Sequence, residues 1–137
     1  MTKEDKDLLL KDLSGRLTYG VHFISYRVVY GAIDITYFDN EKMMGIIEDT
    51  LISQSGSFSV DKVKPYLRSM SSMTEEEYKE LKEISEYYGF APFKHIDDWC
   101  PNYDMTDWLN AHHFDYRGLI EKGLAIEVTE DNNPYKE

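Results

Sequence analysis

The chain is 137 residues long, enough for one domain and too short for two ordinary domains with a linker. Its 15 basic and 26 acidic side chains leave a formal charge of -11 and a pI near 4.7, which argues against a basic face that grips nucleic acid or an anionic bilayer. Hydrophobic residues make up 42% and aromatic residues 14%, so the chain can build a core and does not read as a disordered acidic tail.

In chain order, Thr2 is placed to cap a first helix with Asp5 at its third position. Leu8, Leu9 and Leu13 give that helix an apolar stripe, and Ser14-Gly15 reads as its end at a left-handed glycine, so the helix is expected over 2–14. From 17 to 68 the texture is that of strands, with Val21, Phe23, Val28, Val29, Ile33, Ile35 and Tyr37 in alternating or β-branched and aromatic settings. Gly31 reads as a bulge or tight turn. Asp39 to Lys42 reads as a turn, Met43 to Ile47 as a strand and Ser53 to Ser57 as a loop, with short strands over Phe58–Val60 and Val63–Leu67. Pro65 has no N–H to give to a ladder, which assigns its strand to an edge or a bulge.

The portion over 74–128 reads as helical. Thr74-Glu75-Glu76-Glu77 is a capping box, in which the Thr74 hydroxyl and the Glu77 carboxylate each accept from the other's amide. Met73 and Tyr78 form the accompanying hydrophobic staple, and the three glutamates face the positive end of the helix dipole. The helix continues to Tyr88, with Tyr78, Leu81, Ile84 and Tyr88 on one stripe, and ends at Gly89. Pro92 and Pro101 bracket a loop, Asp104 caps a short helix through Trp108 and Leu109, and Asp115 caps another ending at Gly123. Leu124 to Val128 returns as a strand, and 129–137 reads as a frayed tail. The whole is a single α+β domain: an N-terminal helix, a small four- or five-stranded antiparallel sheet able to curl into an SH3-like barrel, and a C-terminal helical segment. Its charge is uneven, since residues 1–68 carry 9 basic and 10 acidic side chains, whereas 69–137 carry 6 and 16.

Three stretches together carry a resemblance. They are the run from Leu9 through Ser14-Gly15-Arg16-Leu17 to Val21, the run Val63-Lys64-Pro65-Tyr66-Leu67-Arg68 with Ser71 to Glu76, and the run from Asp107-Trp108-Leu109 through His112-His113-Phe114-Asp115-Tyr116-Arg117 to Ala125. On these the chain resembles a family of small uncharacterised proteins of gut Bacteroides-type bacteria and their phages or prophages. The region from His22 to Val60 lies outside the resemblance. What it implies is a bacterial or phage setting; it carries no activity, ligand or catalytic residue.

The candidate chemistry is sparse. His112 and Asp115 share a face if the helix before them continues, and His95, Asp97, Asp98 and Cys100 are of the right type to add ligands to a metal. The spacing of known metal motifs is missing, and the competing reading packs one histidine beside Trp108 and makes Asp115 a cap. Cys100 lies among Asp97, Asp98 and Asp104, which disfavour a thiolate, and as the single cysteine it has no disulfide partner. Paired carboxylates at Asp97-Asp98, Glu48-Asp49 and Glu75 to Glu77 are too common to single out an acid–base pair. No phosphate loop, dinucleotide fingerprint or nucleophile elbow occurs. Lys62, Lys64 and Arg68 near Tyr66 make a small basic and aromatic patch.

Eleven tyrosines exceed what a core of this size must hide, and tyrosine is a favoured interface residue. The leading reading is therefore a non-catalytic accessory or interaction protein. It binds another protein through Tyr26, Tyr30, Tyr37 and Tyr66 on the sheet or through the acidic C-terminal half. No cofactor, direct nucleic-acid contact or membrane contact is expected, and with neither a signal peptide nor a long apolar run the expected compartment is the cytoplasm. One alternative is an acidic mimic of nucleic acid that binds a basic host protein. Another is a metal-dependent enzyme built on His112, Asp115, His95 and Cys100.

Overall fold

Thr2 caps the first helix as its side chain suggests: its hydroxyl accepts from the Asp5 amide at 3.0 Å, opening α1 (Lys3–Arg16). The computed structural model describes residues 2–29, 32–87 and 103–135, and of 27–29, 32–40, 85–87 and 103 it describes the backbone alone. The helix does not stop at Ser14-Gly15. It runs on to Arg16 and through a 3₁₀ turn at Leu17–Tyr19, and the left-handed glycine is Gly20 with φ 73°. What prolongs it is tertiary: Asp12 and Arg16, one helical turn apart and both fully buried, bond to each other beneath the rest of the chain. The Gly15 carbonyl accepts from Asn110 Nδ2 at 3.1 Å, and a Cβ there would be in ordinary van der Waals contact with that nitrogen at 3.4 Å.

After Gly20 the chain enters β1 (His22–Val29), which pairs antiparallel with β2 (Ala32–Lys42) from His22↔Lys42 to Val29↔Ala32. Register shifts let the longer β2 follow β1, and they coil the pair. Asp39 to Lys42, expected as a turn, is strand, because Glu41 and Lys42 stand opposite Phe23 and His22. Gly31 lies outside the described residues. A second antiparallel sheet is made of β3 (Gly45–Ile47), β4 (Thr50–Ser53) and β5 (Gly56–Ser59). The expected Met43–Ile47 strand thus begins at Gly45, and the expected loop at Ser53 to Ser57 is a tight hairpin turned at Gln54 and Ser55. Among the described residues the two sheets remain separate, so no SH3-like barrel closes.

The strand β6 (Val63–Ser69) corrects the reading of Pro65. It pairs with β1 over Val63 to Pro65, with β8 (Ile126–Glu127) over Tyr66 and Leu67, and with β7 (Phe114–Asp115) over Arg68 and Ser69. The Leu67 carbonyl accepts from the Val128 amide at 2.8 Å, and the Arg68 amide donates to the His113 carbonyl at 2.7 Å. A carbonyl and an amide of one trans peptide point opposite ways, so β6 has neighbours on both sides and is no edge. Pro65 is tolerated because it stands where the ladder to β1 ends and the next begins, so its missing donor interrupts neither. The sheet is antiparallel in its larger strands, with β7 and β8 added as short parallel pieces.

Among the described residues two further helices follow, α2 (Glu75–Tyr87) and α3 (Tyr103–Ala111). Asp104 lies in the first turn of α3 and not at its cap. No helix starts at Asp115. Its carboxylate accepts from the Leu119 and Ile120 amides at 2.9 Å each, holding a single turn that Gly123 ends with φ 74°. The Gly123 amide bonds to the Ile120 carbonyl and the Leu124 amide to the Leu119 carbonyl, the paired closure of a Schellman motif. One apolar cluster joins Leu9 and Leu13 of α1 to Val21, Phe23, Val63 and Leu67 of the sheet; a second joins Leu81, Met105, Leu109 and Phe114. The N-terminal helix, mixed sheet and C-terminal helices make this an α+β fold. Among the described residues no helix is long and apolar enough to cross a membrane.

The tail departs from expectation. Thr129 to Tyr135 does not fray: it folds back, and the Tyr135 hydroxyl bonds to both β1 and β6. A ring between two histidines, at 3.6 Å from His113 and 5.3 Å from His22 between centroids, fixes its end.

Candidate functional site

The strongest local signal in the sequence organises the surface around the start of α2. The Glu77 amide donates to the Thr74 hydroxyl at 3.1 Å, and the Thr74 amide donates to Glu77 Oε1 at 3.0 Å, so the capping box is formed. Arg68, from β6, adds a clamp by donating to both Glu77 oxygens at 2.6 Å while its guanidinium lies 4.2 Å from the Phe114 ring centroid. These bonds, Arg68 first, hold the Glu77 carboxyl down at about 2. The helix start is therefore tied to the sheet by one carboxylate that serves two donors.

Beside this clamp opens a cleft of about 830 Å³ lined by Met70, Ser71, Met73, Thr74, Glu75, Tyr78 and Lys79. Met70 and Met73 pack against the second apolar cluster from outside, while Tyr78 is 45% exposed. The pair expected as a hydrophobic staple thus lines an open wall. Glu75 and Glu76 are exposed in the same first turn, and α2 carries six glutamates against two lysines. Methionine is unbranched and polarizable, so such a wall adapts to the apolar group set against it.

The expected interaction tyrosines are not one surface. Tyr66 is only 7% exposed, which removes it from any accessible face. Tyr26 is partly buried, donates to the Asp61 carbonyl at 3.1 Å and has Lys64 Nζ 5.6 Å from its ring centroid; burial raises its phenol above the usual value. Tyr37 belongs to β2 but its side chain, like the whole of Tyr30, lies outside what is described. Within the basic and aromatic patch, Arg68 is committed to Glu77 and Lys64 stands over Tyr26, while Lys62 is exposed.

The expected metal ligands part company. Helix α3 ends at Ala111, and His113 turns the chain with φ 63°, so His112 and Asp115 do not share a helix face. The ring of His112 stacks on Trp108 at 4.1 Å and its Nδ1 lies 2.9 Å from the Trp108 carbonyl. Asp115 is 6% exposed, with each carboxylate oxygen already taken by a backbone amide. His95 and Cys100, with Asp97 and Asp98, lie outside the described residues; among the described ones no three histidine, cysteine, aspartate or glutamate side chains gather as a metal site.

Sequence reasoning missed two buried polar centres. In the first, Arg16 Nε and Nη2 reach Asp12 at 2.7 and 3.2 Å, and Nη2 also donates to the Phe114 carbonyl at 2.6 Å. Arg117 Nε lies 3.2 Å from Asp12, and the guanidinium carbons of Arg16 and Arg117 each lie 5.1 Å from the Tyr116 ring centroid. The only available signal was the spacing of Asp12 and Arg16, a pattern that usually marks a solvated helix face. In the second, burial pushes the Tyr135 phenol up and His113 down to about 4, with Arg16, His22, His112 and Arg68 adding to the effect on His113. No sequence signal pointed to Tyr135, which lies 69 residues from Tyr66 and 113 from His22.

The chain matches no protein-family model, and no curated protein or solved structure is significantly similar to it.

Proposed function

We propose that this is a non-catalytic interaction protein of bacterial or phage origin that docks a basic protein partner on its acidic C-terminal half. The observation that carries the reading is the cleft of about 830 Å³ lined by the half-buried Met70 and Met73 and the exposed Tyr78 beside an acidic helix start. Apolar side chains of the partner occupy the cleft, and flanking Lys or Arg residues meet Glu75 and Glu76. The tyrosine-bearing sheet face is the weaker surface, because Tyr66 is buried and Tyr26 is engaged within the chain.

Co-purification from the native host with the wild-type chain, Met73→Asp and the double variant Glu75→Gln, Glu76→Gln tests this. The expected result is a partner held by the wild type, lost with Met73→Asp, and held by the glutamine variant with weakened salt dependence. Retention of the same proteins by all three folded chains overturns the reading.

A further inference from the structure

Tyr135 lies beyond Ala125, the last residue of either apolar cluster, yet it is built into the middle of the sheet. The register that sets Phe23 opposite Pro65 places His22 opposite Tyr66. There the His22 amide donates to the Tyr135 hydroxyl at 2.9 Å, and the hydroxyl donates to the Tyr66 carbonyl at 2.7 Å. One phenol oxygen thus replaces the direct bond that a closed ladder would make between the two strands. The ring behind it lies flat on His113, 8° from parallel, and meets His22 edge-on at 85°. Among the described residues neither imidazole finds a hydrogen-bond partner for its buried Nδ1, so the walls hold more polar capacity than Tyr135 uses.

The demand of this seam is specific. It needs a single oxygen that accepts from one strand and donates to the other, on a flat apolar ring. Phenylalanine lacks the oxygen, tryptophan N–H only donates, an ionised carboxylate only accepts, and serine has no ring. Only a phenol meets all three conditions. The segment bearing Tyr135 is also largely bonded to itself: the Thr129 amide and hydroxyl donate to Asn132 Oδ1, Asn132 Nδ2 to the Glu127 carbonyl, and the Tyr135 amide to Asn133 Oδ1. No side chain of either apolar cluster lies in it, so none leaves with it.

We propose that the seam between His22 and Tyr66 is a phenol-binding socket, filled in cis by Tyr135 and open, when the tail lifts, to a tyrosine side chain presented by another protein. Tyr135 is then an autoinhibitory occupant, whose tether raises its effective concentration to the order of millimolar. The socket is independent of the cleft at α2.

The test uses the full-length Tyr135→Ala chain and a synthetic peptide of residues 128–137, read by calorimetry and by the amide resonance of His22. The peptide is expected to bind this variant below about 1 mM, the order of concentration that a tether supplies. Its Tyr135→Phe form binds about tenfold more weakly, and the wild-type chain takes the peptide about tenfold more weakly than the variant does. Adding Met73→Asp leaves peptide binding unchanged, which separates the socket from the cleft. A folded Tyr135→Ala chain that ignores the peptide, or one that takes both peptides equally, overturns the proposal. Wild-type hydrogen exchange supplies a check that needs no variant. The His22 amide is expected to exchange through an opening with a shallower denaturant dependence than the Met43 amide, which bonds to the Val21 carbonyl. Equal slopes mean that the tail leaves only when the protein unfolds, and the proposal falls.

Discussion

Replacing Glu77 by Gln removes a charge from the Arg68 clamp but leaves a carbonyl oxygen to accept from the Thr74 amide, so the capping geometry survives. In the native chain Arg68 gives two bonds of 2.6 Å to this carboxylate, and its pKa is held near 2 instead of 4.5. At about 1.4 kcal/mol per pH unit, that interval is worth at most about 3 kcal/mol. The pair borders solvent, with side chains 22% and 17% exposed, and screening brings the expected loss at pH 7 to about 1–2 kcal/mol. The sign follows from the lowered folded pKa: the contribution is complete above about 4.5 and disappears as pH falls towards 2. Urea unfolding of the wild type and Glu77→Gln across that range reads the gap directly, and the two chains are expected to converge at the acid end. A gap that stays constant with pH, or no destabilisation at pH 7, refutes the assignment of this stability to the Arg68–Glu77 charge pair.

Other expectations follow from the same contacts. Thr74→Ala removes the hydroxyl that accepts from the Glu77 amide and is expected to cost about 1 kcal/mol in urea unfolding, with little dependence on salt. Asp12→Ala leaves the fully buried Arg16 guanidinium without its carboxylate and is expected to cost about 3–5 kcal/mol; a loss under about 1 kcal/mol means that the pair is wetter than its burial indicates. Gly123→Ala forces a side chain to adopt φ 74° in the Schellman closure, and a thermal melt is expected to show a loss of about 1 kcal/mol. Because His113 is held down at about 4 against 6.5 when free, its neutral form stabilises the folded chain fully above about 6.5. That contribution declines as pH falls towards 4, and an NMR titration of the His113 ring with a midpoint near 6.5 rules it out.

Features closed within about one turn of chain were legible from the residues alone. Thr2 as a cap and Thr74 to Glu77 as a capping box are bonds between a side chain and amides three residues away, and Gly123 as a terminator is closed by backbone bonds spanning three to five residues. The α+β order was legible as well, since β-branched and aromatic clusters precede the helical pattern. Three other features depend on contacts between distant parts of the chain. Gly15 stays helical because Asp12 and Arg16 are buried together under residues about a hundred positions away. Pro65 sits inside a central strand because the change of neighbours falls at its missing donor, and pairing register is invisible until β7 and β8 arrive. Tyr135, in a tail whose composition reads as frayed, is fixed by a gap of one oxygen between two strands. A periodic pattern records which face of an element is apolar, but it carries no record of which distant backbone groups are left waiting for a partner.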